Sequence, residues 1–73
     1  MNKKDTFDAA FHQLMSEIEQ TAQSKIKGFD IIGERESGLI FYAIFENEKE
    51  MAGHFTVQTL GKRIALRVQA NFI

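Results

Sequence analysis

Seventy-three residues without a cysteine, carrying a formal net charge of -1, make one small domain at most, expected to span residues 1–73. Disulfides are excluded, and with His12 and His54 as the only imidazoles and no thiolates so is an ordinary structural zinc site. A 44% hydrophobic, 26% charged composition with seven phenylalanines separates the chain from disordered sequences and from strongly basic nucleic-acid binders.

The first element is a helix of roughly five turns. Phe7, Phe11, Leu14, Ile18 and Ala22 recur at spacings of three and four, with Ala10 and Met15 widening the stripe. Asp5 or Thr6 suits the N-cap, and Asp5 and Asp8 place carboxylates at the positive end of the helix dipole. Lys25 and Lys27 suit the other end, with Gly28 as the terminator. The same N-terminal segment starts basic, but Asp8, His12, Gln13, Glu17 and Glu19 interrupt any secretory apolar region. No apolar run approaches the length that crosses a membrane, and a cytoplasmic protein is expected.

Beyond Gly28 the period shortens. Phe29–Glu34 reads as a first strand weakened by Gly33, and Arg35–Gly38 as a turn in which Gly38 allows a positive φ. Leu39–Phe45 is rich in aromatic and β-branched residues, as strands are, but it does not alternate. Glu46–Glu50 is a polar connection, and Met51–Leu60 a half-buried strand with Phe55 and Val57 opposed by His54, Thr56 and Gln58. After a turn at Leu60-Gly61-Lys62, Ile64, Leu66, Val68, Ala70 and Phe72 alternate with Arg63, Ala65, Arg67, Gln69 and Asn71. Short turns favour antiparallel neighbours, because a parallel return needs a long crossover. The expected fold is α+β: an N-terminal amphipathic helix on a four-stranded antiparallel meander of order 1-2-3-4. The helix covers the face carrying Ile31, Phe41, Phe55, Val57, Leu66 and Val68.

If Leu39, Phe41, Ala43 and Phe45 face the helix, Ile40, Tyr42 and Ile44 point to the opposite side. Ala65, His54, Thr56, Gln58, Arg63, Arg67 and Gln69 are candidate neighbours on that side. An apolar centre with a polar or basic rim has the anatomy of a protein interface. Ile40, Tyr42, Ile44, His54, Thr56, Arg63 and Arg67 are therefore the expected binding residues. A second route to association is the last strand as a sheet edge, with no proline or central lysine to blunt pairing.

Charge is divided along the chain. Asp30, Glu34, Glu36, Glu46, Glu48 and Glu50 outnumber Arg35 and Lys49 between residues 28 and 50, whereas residues 51–73 hold Lys62, Arg63 and Arg67 and no acid. Such asymmetry can orient a partner or align a self-contact.

Chemistry is sparse. His12 has Ser16 at i+4 but no positioned acid, and His54 lacks a nucleophile or paired carboxylate. Glu46, Glu48 and Glu50 do not match a calcium loop, and Glu17 and Glu19 do not share a helix face. Gly33, Gly38, Gly53 and Gly61 form no phosphate-cradling loop; Gly33 and Gly53 suit bulges or close packing. The expectation is a non-enzymatic binding or regulatory protein without cofactor or metal, acting on another protein or as a homodimer and not on a membrane. The alternative is a single-stranded nucleic-acid-binding module using Tyr42 to stack a base and Arg63 and Arg67 to hold phosphates.

Overall fold

A computed structural model describes residues 3–36 and 38–73, with side chains described from residue 8 onward. Helix α1 spans Lys3–Ala22, followed by strands β1 (Ile26–Arg35), β2 (Gly38–Phe45), β3 (Glu50–Leu60) and β4 (Arg63–Phe72). The strands form one antiparallel sheet in the order β1-β2-β3-β4, the expected meander. The caps expected at Asp5 and Thr6, and the packing of Phe7, fall on side chains outside those described.

The helical stripe does what its period dictates. Ala10, Leu14, Ile18 and Ala22 are buried, with Phe11 and Met15 half-buried beside them. Leu14, Ile18 and Ala22 meet buried Phe41, Ala43, Phe45, Met51 and Phe55, while Phe11, Phe29, Ile31, Leu39, Val57, Leu66 and Val68 pack against this centre. The core is largely aromatic. Phe11 meets the rings of Phe29 and Phe55 edge-on at 6.2 and 6.0 Å, and Phe29 stacks on Phe41 at 5.6 Å. Such pairs contribute about 0.5–1.5 kcal/mol each beyond their burial, which suits a small chain without covalent staples.

The helix ends earlier than Gly28, which lies inside β1. Gln23 takes the left-handed position instead, with φ 55°. Its N–H donates to the Gln20 carbonyl at 3.3 Å, and the Ser24 N–H donates to the Glu19 carbonyl at 3.2 Å. This is the paired C-terminal closure that glycine usually permits, formed here around glutamine. The Glu19 carboxylate accepts from Ile26 N–H at 2.8 Å, tying the helix to the start of β1. Asn47, in the β2–β3 turn, donates from Nδ2 to the Ala22 carbonyl at 3.1 Å and accepts from Lys49 N–H at 3.2 Å.

Gly38 also departs from expectation: it opens β2 rather than forming a left-handed turn, a conformation that Gly61 does adopt at φ 65°. Gly33 adjoins a register shift after Ile31, a bulge, and a second shift falls between Ile26 and Gly28. Gly53 marks close packing, since a Cβ there would stand 2.5 Å from the Ala70 Cβ.

Candidate interaction face

Strand pairing orders the face opposite α1 into rows. The central row is Gly33–Ile40–His54–Gln69, and two residues along lies Asp30–Tyr42–Ala52–Asn71. Beyond it, Gly28 and Glu50 flank Ile44. On the other side of the central row, Arg35 pairs with Gly38 and Thr56 pairs with Arg67. Gly38 lies against Thr56, for a Cβ built on it would be 2.7 Å from Thr56 Cγ2.

Ile40, Tyr42 and Ile44 thus form a stripe down an internal strand, and all three are half-buried. Part of their cover comes from their own sheet. Ile44 Cγ2 lies 3.2 Å, and Ile40 Cδ1 3.4 Å, from where a Cβ would stand on Gly28 and Gly33, so both isoleucines rest over bare backbone of β1. Tyr42 donates its hydroxyl to the Glu50 carboxylate, and the phenol is held above its ordinary pKa by that hydrogen bond, then by desolvation and the carboxylate's charge.

His54 and Thr56 join the stripe on β3, with Arg67 beside Thr56. Arg63 does not reach the stripe. It pairs with Leu60, eight residues along β3 from the Tyr42 row, or roughly 26 Å. Ala65 is likewise remote, pairing with Gln58, and Gln69 and Asn71 are the β4 residues that flank the stripe. Arg67 lies four residues from Tyr42's row, about 13 Å. The nearest charged neighbours of Tyr42 are the carboxylates of Asp30 and Glu50, which disfavour a phosphate there.

Arg35, Asp30 and Glu50 were not among the expected face residues. The short first strand assigned from sequence left Arg35 in a turn. In the structure β1 continues to Arg35, which pairs with Gly38 on the open-face row and helps line a hollow with Ile40, His54, Gln69 and Asn71. Among the described side chains, His54 Nδ1 is the buried polar atom without a hydrogen-bond partner. An open concavity of about 920 Å³ extends from His54 over Thr56, Gln58, Ala65, Arg67 and Gln69.

Other expected features lie apart. His12 is exposed on α1, on the opposite side of the sheet from His54, so the two imidazoles do not share a site. Glu46 and Glu48 are exposed in the turn, where Glu48 pairs with Lys27 at 3.8 Å. Among the described residues no group of three or more histidine or acidic side chains is placed to hold a metal ion, and no helix is long and apolar enough to cross a membrane. Comparisons with protein-family models, curated protein sequences and solved structures found no match to this chain.

Proposed function

We propose that this chain is a small non-catalytic interaction domain whose open sheet face contacts protein, in the first place a second copy of itself. The observation that carries this reading is the row Ile40–Tyr42–Ile44, on an internal strand and on the face that α1 does not cover. Antiparallel sheets commonly expose one face to water, but that face is then polar along its strands. Here the internal strand β2 is apolar on both faces, while β4 alternates in the ordinary way. Closing a second layer over the stripe removes the remaining exposed area of two isoleucines and a tyrosine from water. Apolar area so buried contributes roughly 25 cal/mol per Å².

The β4 edge is the second surface, and it carries no register shift to twist it away. Its outward row includes Arg63 and Arg67, so an antiparallel edge contact centred between them would set like charges together. The face is therefore preferred to the edge.

Light scattering after size exclusion, at high micromolar protein, tests the reading. The wild-type mass should correspond to two 8.4 kDa chains, and Tyr42→Asp should give one chain with an unchanged circular dichroism spectrum. A monomeric wild type would sink the self-association reading, and a dimer indifferent to Tyr42→Asp would move it to another surface.

A further inference from the structure

The open face is self-complementary in one orientation, and from this we infer that two copies stack face to face with antiparallel strands, about a two-fold axis running across the strands through the Ile40–His54–Gln69 row. The inference rests on the open face being the contact surface, as proposed above.

Two identical faces can be stacked about a two-fold axis that lies between them along the strands or across them. An axis along the strands sets β1 over the partner's β4 without reversing the row order. Arg35 and Arg67 occupy one row, at the two edges of the sheet. That arrangement therefore brings Arg35 over the partner's Arg67, a like-charge contact.

An axis across the strands sets every strand over its own copy and reverses the rows. With the axis on the Ile40 row, the row on one side of it lies over the row on the other. Arg35 then meets the partner's Asp30, both on β1, and the partner's Arg35 meets Asp30 in return. No ion pair within the chain engages either residue among the described contacts. In the same rows, Tyr42 lies over the partner's Gly38, the position where β2 has no side chain. The ring is thus set over the Thr56 methyl and the His54 imidazole, which lie against that glycine.

The ends of the molecule agree with the middle. The β3–β4 hairpin runs beyond β2, whose pairing with β3 stops at Leu39 and Phe55, and its tip carries Lys62 and Arg63. At the other end of the sheet lie Glu46, Glu48 and Glu50. Reversing the rows brings the basic tip of each copy to the acidic turn of the other, so the charge division along the sequence becomes an alignment between chains. His54 Nδ1, buried and unpartnered, belongs to a side chain on the axis row. The molecule measures 37 × 23 × 16 Å, and its long axis gives the open face an extended surface for such a contact. Aligned sheets stack about 10 Å apart at an angle of about 30°, within reach of an arginine at the edge.

Charge exchange and cross-linking test the arrangement, with association measured by sedimentation equilibrium. Asp30→Arg and Arg35→Asp should each weaken the dimer by about tenfold or more, since each sets two like-charge contacts in a symmetric interface. Asp30→Arg combined with Arg35→Asp should restore affinity to within about threefold of wild type, because residues in contact couple and the double variant rebuilds the pair with its charges exchanged. The chain has no cysteine, so Ile40→Cys offers a single thiol that should join to its own copy through a short bis-maleimide. A double variant no better than the weaker single, or no joining at Ile40→Cys, would overturn this arrangement. If Tyr42→Asp still dissociates the dimer in that case, the open face stands and only its geometry falls. A dimer that Tyr42→Asp leaves intact, or a wild type that never dimerises, would overturn both.

Discussion

The Tyr42 O–H donates a hydrogen bond to the Glu50 carboxylate, which sits beside Ile44 on the neighbouring strand. The contact holds the phenol in its neutral form, so its pKa lies above the ordinary value of 10.0. A raised folded-state pKa means that the native chain keeps its proton where the unfolded chain has lost it. The stabilisation is complete below the unfolded value near 10.0 and is lost as pH rises through the folded value. Ultraviolet titration of this single tyrosine should therefore run above that of a free phenol, and Glu50→Gln should return it toward the ordinary range. Gln23 is the complementary case, a residue in a backbone conformation that suits another. Its φ of 55° places a side chain where glycine meets no steric penalty. Gln23→Gly should raise stability by about 1 kcal/mol in urea unfolding, because the two closing hydrogen bonds remain. A loss would show that the glutamine side chain contributes more than its backbone costs.

Helix α1 is joined to the sheet at its C-terminal end by polar contacts as well as by its apolar stripe. Asn47 bridges the last helical carbonyl and its own turn, and its N–H donates to Ser24 Oγ at 3.0 Å. The β2–β3 turn is thereby held against the helix end, with Glu46 N–H donating to the Lys25 carbonyl at 2.8 Å. Asn47→Ala removes the partner of a part-buried carbonyl and of a turn N–H. It should cost about 1–2 kcal/mol, seen as a lower urea midpoint at unchanged slope. The existence and type of all five elements were legible: period marked the helix and the last strands, while aromatic and β-branched content between polar turns marked β2, which does not alternate. Their ends were less so. β1 begins at Ile26 and ends at Arg35, longer at both ends than its apolar run, since backbone pairing with β2 extends it across polar residues. Gly28 looked like a helix stop because glycine suits that position, yet the chain turned at Gln23 once the closing hydrogen bonds formed there.

The molecule is one helix laid on one side of a four-stranded sheet. Among the described residues no second layer lies over Ile40, Tyr42 and Ile44. Local sequence was enough for this architecture. A period near 3.6 produced the helix, alternation in β4 produced a covered face, and short connections required antiparallel neighbours. The pleat of β2, whose sequence does not itself alternate, singles out Ile40, Tyr42 and Ile44 without reference to pairing, since side-chain direction along a strand follows from the pleat alone. Tertiary structure decided which residues share a row. Two register shifts in β1 bring Asp30 to Tyr42 and Arg35 to Gly38, and the length of the last hairpin carries Arg63 away from the stripe. These relations join residues far apart in the chain through hydrogen-bonded pairing, and one inserted residue reverses the faces of everything beyond it.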